Sequence, residues 1–214
     1  MSYWVLITHS VALFPISIFL WSWKQRKDPA SIFMLLKFIF CVTFSLFYHT
    51  YDVADIESIT KNKPMWILLD GYASTSLIFT TTLYGLRVRP PQFYITSNAV
   101  ETIILSLYLF IDLWYIITWL LVLACTIICI FKWKTLYRYV LKFYYLTFFT
   151  IVFGITATIT FCIAVETSRH EEYIKFHSLW HCFIFSTAGC AGILRYKLDS
   201  ELYPLNTRNT LNSI

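Results

Sequence analysis

The sequence predicts an all-α, polytopic membrane protein with seven transmembrane helices, and three observations predict it. The first is composition. Of 214 residues, 58% are hydrophobic and 14% charged, against about 45–50% and about 25% in soluble domains. The second is that the apolar residues fall in runs of about 20, the length at which a helix crosses a bilayer. The third is that Lys and Arg gather in alternate connections, the mark of a fixed orientation. The mean hydropathy of +0.63 agrees with all three.

The first span is expected roughly over Tyr3–Trp23. It lacks a basic leading region and a small-residue cleavage site, so it reads as a retained helix. The second is expected over Ile32–Tyr51 and the third over Pro64–Gly85. An apolar block then runs from Phe93 to Phe131. At about 39 residues it would reach nearly 60 Å as one helix, so it must turn. Asp112, the charge near its middle, marks the expected turn between spans four and five. The sixth span is expected over Tyr144–Val165 and the seventh over His177–Tyr196. These make one transmembrane domain, residues 1–198, followed by a short polar tail, 199–214.

Basic residues place the connections. Lys24, Arg26 and Lys27 follow span one, and Arg87 and Arg89 follow span three. Lys132, Lys134, Arg138 and Lys142 follow span five, and Arg195 and Lys197 close span seven. In a seven-span layout all four groups share one side. The opposite side mixes Lys61, Lys63, Arg169 and Lys175 with acidic residues. The expectation is an outer or luminal N-terminus and a cytosolic C-terminus. The net charge of +5 belongs to these short loops. No basic run is interleaved with a recognition motif, so no nucleic acid is expected as a partner. The six cysteines all lie in apolar segments without a CxxC and read as small buried residues.

Two i,i+4 patterns carry the chemistry: Ser45-Leu46-Phe47-Tyr48-His49 and His177-Ser178-Leu179-Trp180-His181. Four residues are just over one helical turn, so each pair projects from one face. His49 lies about 27 Å along span two, near its outer end. Asp70 sits about two turns into span three from outside, and His177 and His181 occupy the first turns of span seven. Ser45, His49, Asp70, His177 and His181 are therefore expected in one layer. A lone membrane histidine is ordinarily an interhelical hydrogen bonder. Three imidazoles and a carboxylate at matching depth read instead as a metal site, with zinc as the expected ion and His49, His177 and His181 as ligands. Asp70 would hold the bound water or orient a histidine. Ser45 would donate to a bound oxyanion. His9 stands isolated in span one and His170 lies in a charged loop, and neither is assigned to the site. Glu101, about 12 Å into span four, reads as a partner for a neighbouring helix, and Lys37 as a snorkelling side chain.

These residues resemble the signature of the CREST superfamily of membrane hydrolases: SxxxH in span two, an acidic residue in span three, and HxxxH in span seven. That superfamily includes alkaline ceramidases, adiponectin-receptor-like proteins and the myomaker group (transmembrane protein 8 family). The segment His177-Ser178-Leu179-Trp180-His181-Cys182 and the preceding Glu171-Glu172-Tyr173 are most similar to the myomaker group. The resemblance implies a seven-helix fold, zinc held by three histidines, and a plasma-membrane protein promoting myoblast fusion at the hemifusion step. Membrane lipids and an apposed cell membrane are the implied partners, and the layout leaves a homodimer open. The alternative it carries is a zinc-dependent lipid amidase of the alkaline ceramidase type. The site is thus hydrolase-like, with the fusion role favoured over turnover. One departure stands out. The tail from Ser200 has no cysteine, unlike the cysteine-rich tails of vertebrate myomakers.

Overall fold

The computed structural model describes residues 7–54, 63–110, 114–167 and 170–202. Among them all regular structure is helical. A 3-10 turn, His9–Ala12, leads into α1 (Leu13–Arg26). Then come α2 (Pro29–Ala54), α3 (Lys63–Gly85), α4 (Gln92–Phe110) and α5 (Trp114–Phe131). A short α6 (Trp133–Lys142) precedes α7 (Tyr144–Glu166) and the long α8 (His170–Leu202).

Each expected span corresponds to a helix, with differences at three places. The expected start at Tyr3 lies outside the described residues, and α1 itself spans 14 residues. Its end is set by Lys27, whose left-handed backbone (φ 51°) lets its N–H donate to the Trp23 carbonyl at 2.7 Å; such a residue stops a helix. The expected turn at Asp112 also lies outside the described residues. The flanking helices end at Phe110 and resume at Trp114. The seventh helix runs past both expected ends. Its first turns are built of helix formers, Glu171, Glu172 and Lys175. Its last turn is tied down by ion pairs of Asp199 with Arg87 and Arg195, and of Glu201 with Lys142. The boundary expected after residue 198 therefore falls inside α8.

Among the described residues three helical segments are long and apolar enough to cross a membrane: Pro29–Thr50, Gln92–Phe110 and Tyr144–Ala164. Trp119–Phe131 with Trp133–Lys142, bent by 75°, would make a fourth if the pair is one span. The distribution of polarity supports a lipid setting. Ser22, Ser31, Ser45, Asp70, Ser76, Thr80, Ser97, Glu101 and Thr160 are buried, whereas Trp119, Leu123, Ile130, Phe148, Ile155 and Ile159 are exposed. In water that arrangement would waste the hydrophobic effect. In lipid it is favourable, because apolar side chains face hydrocarbon and polar groups satisfy one another inside.

α8 packs along α7 and also meets α1 and α3, while α2 packs on α3 and α1. Phe19, Met34, Phe38, Leu77, Phe79, Tyr84, Phe93 and Phe185 fill the core between them. Gly192 lets α1 come close: a Cβ there would lie 3.0 Å from Ile18 Cγ2 and 3.2 Å from Phe19 Cε1. Two polar knots hold the bundle. In one, Glu101 of α4 accepts from Ser97 at 2.7 Å and Thr80 of α3 at 3.3 Å, and pairs with Lys37 of α2. In the other, Arg195 of α8 donates to the Tyr84 carbonyl at 3.0 Å and reaches Asp28 at 3.2 Å. Its guanidinium also lies over the Tyr84 ring at 4.0 Å. All six cysteines are free.

Candidate metal centre

The i,i+4 spacing on α8 puts His177 and His181 on one face, and α2 brings His49 opposite them. Their Nε2 atoms form a near-equilateral triangle. His49 to His177 is 3.1 Å, His49 to His181 3.2 Å, and His177 to His181 3.1 Å. All three rings are buried. Trp180 and Tyr173 pack on His177, and Phe185 packs on His181, which restrains the rings.

Hydrogen bonding cannot account for this triangle. A neutral imidazole Nε2 is either a donor or an acceptor. Whatever the tautomers, two of the three nitrogens are alike, so at least one edge sets two lone pairs or two N–H groups against each other across 3.1–3.2 Å. A cation above the centre satisfies all three. The centre of such a triangle is about 1.8 Å from each nitrogen, close to a metal–nitrogen bond of about 2.0–2.1 Å, so His49, His177 and His181 could together hold an ion. Imidazole suits zinc, copper, iron and nickel alike, so the donor set fits a metal without naming it.

Sequence reasoning missed His9. It is not isolated: the turn before α1 carries it into the cluster, where it is 5% exposed. Its Nε2 lies 2.9 Å from Ser45 Oγ, and its ring sits 4.3 Å from that of His181. Ligand atoms of His9, His49 and His181 all lie within 4.8 Å of one another, so these three also form a group that could hold a metal. The set with His177 is the better fit, because its nitrogens are closer and His9 Nε2 is already engaged by Ser45. A lone histidine in a short first helix gives no spacing signal, which is why sequence alone did not place it.

Ser45, expected as an oxyanion donor, is buried between His9 and the Asp70 carboxyl. Asp70 is 7% exposed, and its Oδ1 has no hydrogen-bond partner among the described residues. His181 Nδ1 is likewise without one among them. Buried polar atoms of this kind ordinarily mark unmade bonds to water or a ligand. Beside the cluster a partly open cleft lies between α2, α3 and α8. Ser45 and His181 line it where it meets the cluster, Phe38, Leu77, Ile184 and Phe185 give it apolar walls, and Ser74, Thr81, Thr82 and Thr187 add hydroxyls along it.

The family described as "Protein of unknown function (DUF3522)" matches residues 2–182. The chain belongs to this family. The match takes in Ser45, His49, Asp70, His177 and His181, and stops at the residue after the last of them. No curated protein and no solved structure matches the chain.

Proposed function

We propose that this chain is a seven-span plasma-membrane protein, with its N-terminus outside and its C-terminus cytosolic. It holds zinc with His49, His177 and His181 and engages a membrane lipid beside the ion. The supporting observation is the triangle of Nε2 atoms next to a largely apolar cleft that reaches His181 and Ser45. The biological use favoured by the resemblance to the myomaker group is fusion of myoblasts at the hemifusion step. The short connections between helices suit that use. The protein would act through its membrane body, by binding and deforming lipid at close contact, and not by reaching across a gap.

The second reading is a zinc-dependent amidase for a ceramide-like lipid, and the cleft favours it. An acyl chain would lie between Phe38, Leu77 and Phe185, bringing its carbonyl to Ser45 and His181. Asp70 would accept a proton from the attacking water and return it to the amine nitrogen as the C–N bond breaks, and Ser45 would donate to the developing oxyanion. The ion would supply a lowered pKa to that water.

Purified wild-type protein is expected to carry about one zinc per chain by elemental analysis. Loss of a direct ligand should exceed the roughly 10–100-fold affinity cost of outer-shell changes, so His181→Ala is expected to lose the ion. Retention of zinc by that variant would overturn the metal reading. Two assays then separate the uses. Release of sphingosine from ceramide, abolished in His181→Ala, would select the amidase. Rescue of multinucleated cells in fusion-deficient myoblasts, without hydrolysis, would select fusion.

A further inference from the structure

We propose that α6 is an in-plane anchor that binds anionic phospholipid headgroups on the basic side of the bundle. The proposal rests on the membrane reading above but not on the metal centre.

α6 is bent 75° from α5, so it lies across the bundle end instead of continuing a span. At 100° per residue its ten positions sort into three faces. Thr135, Leu136 and Tyr139 face the protein. Tyr139 is the anchor: it is 2% exposed, donates to the Gly85 carbonyl at 2.6 Å, and packs on Leu194 and Leu198. Trp133, Tyr137, Val140 and Leu141 form a second, outward face, from 42% to 64% exposed. Lys134, Arg138 and Lys142 form a third, with i,i+4,i+8 spacing, and all three are exposed.

The occupant follows from continuity and charge. The apolar face of α6 lies between exposed Phe131, at the end of α5, and exposed Tyr144 and Tyr145, at the start of α7. Whatever covers those two helices covers α6, and for membrane spans that is lipid. The basic stripe borders this lipid-covered face, at headgroup level. Nearby carboxylates are already committed: Asp28 and Asp199 to Arg195, Asp199 also to Arg87, and Glu201 to Lys142. Among the described residues no carboxylate lies within ion-pair distance of Lys134 or Arg138. Those two cations therefore face the headgroup layer uncompensated, and a phosphodiester or phosphatidylserine carboxylate completes them. Apolar insertion beside a basic stripe is how interfacial helices select anionic leaflets.

The test uses the full chain in phosphatidylcholine nanodiscs carrying trace dansyl-phosphatidylserine or dansyl-phosphatidylcholine, with tryptophan-to-dansyl energy transfer as the readout. Wild-type protein is expected to enrich the serine dye over the choline dye, and high salt should erase the preference. Lys134→Gln with Arg138→Gln should weaken it by roughly 30-fold, the effect of two basic residues at an anionic surface. Arg138→Glu alone should reverse part of it. Lys175→Gln, at the other end of the bundle, should leave it intact. Equal transfer from the two dyes in wild type, or an unchanged preference in the double variant, would overturn the proposal. Failure of the chain to enter nanodiscs would instead sink the membrane reading, and this proposal with it.

Discussion

Single side chains build the histidine cluster, and the sequence disclosed three of its four members. His49, His177 and His181 could be paired in advance because helical spacing and membrane depth are both arithmetic on position. His9 escaped because its contact depends on where a short 3-10 turn points it, and spacing does not encode that. Its role is separable by experiment. His9→Ala is expected to keep about one metal ion per chain, since the closest three nitrogens remain, while Ser45 loses its imidazole partner. Loss of the ion in this variant, read by elemental analysis, would move the ligand set to His9, His49 and His181. Asp70 was expected in one layer with Ser45, but their direct contact was not. It sits with Ser45, and that pairing follows from the packing of α2 against α3.

Helices were the most legible level, because long apolar runs carry their own length scale. The misread element was 132–142, taken as a basic loop. It is α6, and the missed signal was the 3.6-residue rhythm of Trp133, Tyr137, Val140 and Leu141 beside Lys134, Arg138 and Lys142. Close approach of elements was hidden for a different reason: it depends on what a glycine faces. Gly192 faces Ile18 and Phe19, whereas the nearest atom to a Cβ on Gly154 would be Thr187 Cγ2 at 3.7 Å, an ordinary contact. Gly192→Val is therefore expected to force α1 from α8. Overpacking costs about 1–3 kcal/mol, which lowers the melting temperature by roughly 5 °C in a chain of this size. Gly154→Ala should not lower it, since Ala is the better helix former and meets no clash there. Thermal unfolding in detergent compares the two.

The molecule as a whole is held by polar knots at defined heights, not by a hydrophobic drive between helices, because lipid is as apolar as the helices themselves. Arg195 is the knot at the basic end, 7% exposed and shared by α3, α8 and the α1–α2 connection. Arg195→Met would strand Asp28, while Asp199 would keep Arg87. The substitution is expected to cost roughly 3 kcal/mol, as removal of one partner from a buried pair does. Arg195→Lys should not restore stability, since a point charge cannot reproduce the fork to Tyr84 and Asp28. A melting temperature equal to wild type in either variant would refute this. The histidine cluster is a knot of another kind, because its members are far apart in order of synthesis. His49 and His177 stand 128 positions apart. In the zinc reading proposed above, α8 must therefore be delivered and packed against α2 before coordination could begin. A product lacking α8 would present no more than two of the cluster's imidazoles. Uptake of the ion would then follow, and report, the meeting of α2 with α8.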